Sequence, residues 1–231
     1  GIDQDCDGVD LTVSGPTVAD LAVGDLVITE ILQNPNAVSD ADGEWFELRA
    51  AAPFHLNGVE FGREGTIEST VEANECILVG TDDVVVVARG SDPTTNGGLT
   101  PVSAEFDFSL GNSDGSLFVG YAGTVLDEIT WASSVSGATT ALDPSITDAA
   151  GNDDPLNWCT STVPYGDGDL GRVRHHLADH EVAVAGGHDR PDVAAVVAHP
   201  VGDADAARLT CGARRAEVAR AVGRRRRAEV G

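Results

Sequence analysis

The sequence predicts an all-β fold, an antiparallel sandwich or barrel, and three observations predict it. Residues 24–131 are a succession of short β-branched runs parted by turn chemistry. No stretch sustains the 3.6-residue apolar period of an amphipathic helix. Finally, the composition breaks at Gly171, and the 60 residues beyond it contain no Phe, Trp or Tyr with which to build a core.

The elements follow in order. "DLVITEIL" alternates apolar and polar residues around Leu26, Ile28 and Leu32, with β-branched Val27 and Thr29 between them, and reads as a strand. "NPNAVSDADG" is a turn-rich loop. "EWFELRA", "FHLNGVEF", "ECILVG" and "VVVVARG" read as further strands. "GLTPVSAEFDFSL", "GSLFVGY" and "TVLDEITWA" are β-rich, and the last two meet at "YAGT", where Gly123 marks a tight hairpin. Short strands at regular intervals without intervening helices are the pattern of a two-layer β domain. At this size such a domain buries enough surface to fold without a metal.

Charge divides the chain as sharply as composition does. Residues 1–171 hold 30 acids and three arginines, a balance of −27. Residues 172–231 hold 11 arginines and eight acids, together with five of the six histidines. The whole carries −24, with no Lys and no Met, so Gly1 is expected to open a fragment or a processed form. Such acidity repels phosphate backbones and anionic lipid, which argues against nucleic-acid partners. The longest wholly apolar run, Val84 to Ala88, is far short of the roughly 20 residues of a membrane helix, so no membrane insertion is expected. The Arg, Ala, Val, Gly, Asp and His repertoire of the tail is that of a GC-rich gene read out of frame. A frameshift near Gly171 is the expectation. Four cysteines (Cys6, Cys76, Cys159, Cys211) stand far apart, which excludes C-x-x-C metal and redox motifs. A Cys76–Cys159 disulfide is one pairing that an oxidising compartment would allow.

Several motifs along the body resemble the lamin tail domain, an immunoglobulin-like sandwich. The first strand matches at Ile28, Glu30, Ile31, Asn34 and Pro35, and the second at Glu44, Trp45, Glu47 and Leu48. Leu56 and Gly58 match an "L-x-G" strand, although Val59 replaces the usual aromatic. Leu110, Asn112, Gly123 and Asp127 match the late hairpin. "NDDPLNWCTSTVPYGDGDLG" resembles the ending of secreted bacterial members, which normally continue "TPG"; "RVRHH" stands there instead. The match covers about residues 24–171. The opening "DQDCDGVD" resembles a different feature, the Asp-rich repeats of extracellular bacterial and thrombospondin-type proteins. The resemblances imply a leader over 1–23 and an immunoglobulin-like antiparallel β-sandwich over 24–171, and composition sets apart a poorly structured or out-of-frame tail over 172–231. They imply a secreted or cell-surface setting and a non-catalytic role. The coiled-coil rod of the nuclear relatives is missing from this sequence.

Candidate sites are few. Asp3, Asp5 and Asp7, followed by Gly8 and Asp10, follow the first half of a calcium loop, but the twelfth position is Ser14 rather than Glu. Asp40, Asp42 and Glu44 form a second acidic cluster that could begin a calcium site, and ordinary turn chemistry explains it as well. Calcium is thus the one cofactor expected. Trp45, Trp131 and Trp158 could stack on sugar, with core packing the plainer role. Glu30 and Glu47 could pair as carboxylates, although solvent-facing alternation accounts for both. In the tail, His176, His180 and His188 mimic zinc-protease spacing, but Leu177 stands where the general base is needed. "RRRR" at 224–227 has the look of a nucleic-acid or targeting patch and reads as a by-product of codon composition. No Ser-His-Asp, Cys-His or phosphate-cradling motif assembles from residues 1–171. The expected function is a non-catalytic extracellular binding or adhesion module, contacting protein or glycan through the loops at one end of the sandwich. A calcium-stabilised spacer domain is the alternative, and a metal-dependent hydrolase the remote one.

Overall fold

The computed structural model describes residues 15–72 and 77–172. The leader aspartates Asp3, Asp5, Asp7 and Asp10, Cys76, and the tail with its histidines and arginine run lie outside the described residues.

The body is an all-β, sandwich-like fold. Twelve strands are described: β1 (Leu26–Leu32), β2 (Trp45–Ala50), β3 (Phe54–His55), β4 (Glu60–Arg63), β5 (Thr66–Thr70), β6 (Leu78–Val79), β7 (Val84–Ala88), β8 (Ala104–Glu105), β9 (Gly115–Tyr121), β10 (Thr124–Trp131), β11 (Thr140–Leu142) and β12 (Trp158–Thr160). The only α-helical pieces among the described residues are single turns, α1 (Asp40–Gly43) and α2 (Ala149–Asn152). One sheet runs β12-β11-β1-β2-β7-β8, a second runs β10-β9-β4-β5, and β3 pairs with β6 apart from both. All pairings between these strands are antiparallel except β7–β8, so the larger sheet is mixed rather than purely antiparallel. The "GLTPVSAEFDFSL" run yields only that two-residue parallel strand, flanked by Ser103 N–H on Val86 C=O and Phe106 N–H on Ala88 C=O.

Alternation builds the interior. Leu26, Ile28, Phe46, Leu48, Val85 and Val87 of the large sheet meet Phe61, Leu117, Val119 and Leu126 of the small one, all within 2 % of full burial. Phe46 forms the aromatic centre, edge-on to Phe61 at 5.2 Å and tilted against Phe106 at 5.1 Å. At Tyr121–Thr124, Ala122 (φ 48°) and Gly123 (φ 78°) make the predicted two-residue hairpin, in which both central residues need positive φ.

Strand β1 departs from simple alternation. A bulge between Ile28 and Glu30 shifts its register on β2, so Ile31 points inward while Glu30 and Leu32 point to the other face. That other face is not solvated. Leu32, Trp45, Val86, Ala88 and Leu99 form a second apolar cluster there, with Val102 and Tyr165 packed on it. The packed body also starts upstream of residue 24: Val18 is 2 % exposed in the main core, and His55 N–H donates to Pro16 C=O.

Candidate functional site

Six carboxylates are buried among the described residues (Glu30, Glu44, Glu47, Asp83, Asp127 and Asp169), and four of them lead, with one groove, to the candidate chemistry. Glu30 and Glu47 are direct cross-strand partners on β1 and β2, and both are buried, at 2 % and 1 % exposure. Solvent-facing alternation is therefore the wrong account of this pair. The outer face of the large sheet is roofed by the segments that carry Leu99, Thr139, Ser161 and Tyr165, which the strand pattern alone does not reveal. Glu30 accepts hydrogen bonds from the Thr139 hydroxyl, the Ser161 hydroxyl (3.3 Å) and Arg172 N–H (2.6 Å). Glu47 accepts from Thr29 Oγ1 at 2.6 Å. Burial raises the Glu30 carboxyl above its ordinary value, partly offset by these donors and by the Arg172 charge. The pair is woven into the fold.

Glu44 shows the same logic. It ends α1 and is fully buried, accepting from Leu110 N–H (3.0 Å), Ser109 Oγ (3.1 Å) and Arg89 Nη1 (3.1 Å). The acidic cluster over residues 40–44 consequently does not converge. Asp40 accepts from Asn112 Nδ2, Asp42 accepts from Ser39 Oγ, and Glu44 turns into the body. Among the described residues, no three His, Cys, Asp or Glu side chains are grouped to hold a metal ion.

Asp127 ties the two sheets together. Strand β11 pairs only with Glu30 and Ile31, leaving the first half of β1 without a neighbour on that side. Asp127 of β10 fills the gap: its Oδ2 accepts from Ile28 N–H at 2.7 Å, while Asn152 Nδ2 reaches both that oxygen (2.6 Å) and Ile28 C=O (3.1 Å). Two side chains thereby satisfy a backbone that a strand would otherwise satisfy. Burial raises the Asp127 carboxyl to about 6, against these donors.

Next to this tie lies a groove of about 830 Å³. One wall is the unbroken run Val125 to Ser133. Inward Leu126 and outward Glu128 both belong to that wall, so β10 presents its edge rather than a face. The opposite side is formed by Thr140, Trp158 to Thr160, and α2. Trp131 and Trp158 are half-buried along it, their indole N–H groups held by Gly111 C=O and Asn152 C=O. Trp45, by contrast, is fully buried in the outer cluster, where its Nε1 donates to Tyr165 Oη at 2.8 Å. At the groove floor, Gln33 is 0 % exposed with neither amide atom hydrogen-bonded, and Asn152 Oδ1 is likewise without a partner. Every charged side chain on the lining is acidic: Asp127, Glu128 and Asp153.

Sequence reasoning places binding in the end loops and singles out neither Gln33 nor Asn152. One signal is available for Asp127. Consecutive Asp127 and Glu128 cannot both face solvent from one strand, so one of them has to be buried. Cys159 of β12, beside the groove, is disulfide-bonded; Cys76, the partner named from sequence, lies outside the described residues. No protein-family model matches the chain, and no curated protein shows significant similarity to it.

Proposed function

We propose that the chain is a non-catalytic binding module of an extracellular or cell-surface protein, similar to lamin tail domains, that engages its partner through the β10 groove. The observation that carries this reading is the groove itself, a cleft with two half-exposed tryptophans, a mixed polar and apolar lining and buried amide groups seeking partners. Sites of this size, mostly apolar with a few convergent polar groups, are where ligands bind. Asp127, the buried carboxylate on its lining, is committed to backbone and side-chain donors, which suits a rigid receptor better than acid–base chemistry. The disulfide at Cys159 and the Asp-rich leader support an oxidising, extracellular setting.

The test is a titration of isotope-labelled full-length protein with panels of peptides and oligosaccharides, followed by amide and indole NMR signals. Perturbations confined to residues 125–133 and the Trp131 and Trp158 indoles, abolished by the groove-filling Ser133→Trp variant, are the expected outcome. Ligands that map instead to the loop at 34–44, or turnover of any probe, would remove the groove or the non-catalytic assignment respectively.

A further inference from the structure

We infer that the groove takes an extended polypeptide, which adds to the free edge of β10 as a fifth strand of the small sheet and carries basic side chains towards Glu128 and Asp153. This rests on the groove being the binding surface and goes further by naming the class of partner.

The edge comes first. β10 is the terminal strand of its sheet and, at eight residues, the longest described. Its ladder on β9 starts from the hydrogen-bonded pair flanking the hairpin turn, Tyr121 and Thr124. Counting along β9, Val119, Leu117 and Gly115 share the phase of Tyr121, so their partners Asp127, Ile129 and Trp131 bond to β9. Glu128 and Thr130 are the alternate residues, and their carbonyls and the Thr130 amide point to the free side, into the groove.

Exposed edges are usually blunted with Pro, Lys or a covering element. Thr124–Trp131 contains no Pro and no basic residue, and its bulge lies at Val125–Asp127, away from the Glu128–Trp131 half. The start of β10 is covered, with Gly24 N–H donating to Leu126 C=O. The remainder is an open run of pairing groups with a cleft beside it, the geometry by which sheets recruit an added strand.

Charge then selects the occupant. The lining has three acids and no Arg, and the described arginines Arg49, Arg63, Arg89 and Arg172 are all elsewhere. A basic, apolar-alternating strand complements such a wall, and an acidic one is repelled. The same repulsion disfavours a second copy of this chain. Two β10 edges paired antiparallel would oppose Glu128 and Asp153 of one molecule to those of the other, on bodies that already carry −27 over residues 1–171.

The test uses the full-length protein and fluorescein-labelled decapeptides in which Val alternates with Arg, Ser or Glu. A second Val/Arg peptide carries N-methyl groups on alternate residues, which keeps charge and apolarity and removes one edge of pairing. Binding in the order Arg over Ser over Glu is expected, with the N-methylated peptide at least about tenfold weaker through loss of ladder hydrogen bonds. Thr130→Pro removes an outward amide and weakens binding similarly. Glu128→Arg weakens the Arg peptide and strengthens the Glu peptide without touching the ladder.

Equal binding of the N-methylated peptide would overturn strand addition and leave only charge attraction. Oligosaccharides that shift the Trp131 and Trp158 indoles while no peptide does would overturn the polypeptide and spare the groove. Dimerisation in the ultracentrifuge that Thr130→Pro abolishes would replace the partner with a second copy. Silence of the groove towards every probe would sink both this inference and the reading beneath it.

Discussion

Asp127 should make the protein less stable as pH rises through the acidic range, opposite to most acids in folded proteins. Replacing it with asparagine should remove its share of that trend. Its carboxyl is held at about 6 in the folded state against an ordinary 3.8, because burial penalises the anion more than Ile28 N–H and Asn152 Nδ2 favour it. Between those two values the folded state binds the proton and the unfolded state does not. Stability from this group is therefore full below pH 4 and is lost as pH rises through 6. The gap corresponds to about 3 kcal/mol, a substantial fraction of a domain's net stability. Glu128 N–H also favours the anion, while the Ile28 and Asn152 donors meet a single oxygen, Oδ2, so the side-chain oxygen of an asparagine introduced there can receive those two. The neighbouring Asp153 charge, which also raises Asp127, loses its repulsion in the variant. Urea titrations from pH 4 to pH 8 are the assay. Asp127→Asn should exceed the parent by about 2–3 kcal/mol at pH 8 and match it near pH 4, with unchanged m-value. Glu30 and Glu44 are raised too and leave a residual slope of the same sign in both proteins. A variant less stable than the parent at pH 8 would show that the anion, and not merely its oxygen, holds the sheets together.

Two further substitutions examine the packing. Glu44→Ala should cost about 3–5 kcal/mol in chemical denaturation, because it leaves Arg89 and the Leu110 amide without their acceptor in a buried setting. An added Cβ at Gly62 would sit 1.9 Å from Thr66 C=O and 2.8 Å from the Phe118 ring, so Gly62→Ala should lower stability by at least about 2 kcal/mol.

What the sequence shows and what it hides follow from the range of each interaction. Strand runs, the hairpin at Gly123 and the main core at Phe46 and Val85 depend on neighbours two residues apart, and they are legible. Glu30 is not. A one-residue bulge after Ile28 changes which side chains face inward, and nothing in "DLVITEIL" marks the bulge. The roof over Trp45 and Leu32 is equally hidden, since it is made by coil that carries Leu99 and Tyr165 from 54 and 120 residues beyond Trp45. The candidate site suffers most. Gln33 follows an apolar run as a surface residue would, and only the meeting of β1 with β10 places it on a groove floor.

The buried acids bear on why the β10 edge stays open while the start of β1 is closed. Most sit where the backbone leaves an amide that no ladder takes up: Glu44 on Leu110, Asp127 on Ile28, Glu30 on Arg172, Asp83 on Gly80, and Asp169 on Asn36 and Ala37. An acid-rich chain with three arginines before Arg172 thus uses carboxylates as caps for its irregular segments, accepting a burial cost in return for satisfied amides. The first half of the β1 edge is closed in this way by Asp127 and Asn152. The second half of β10 has no such cap among the described residues, although Glu128 and Asp153 stand beside it with the same chemistry to offer. Strand addition, as proposed above, would supply that missing cap from outside, which is why Thr130 is the decisive position to change.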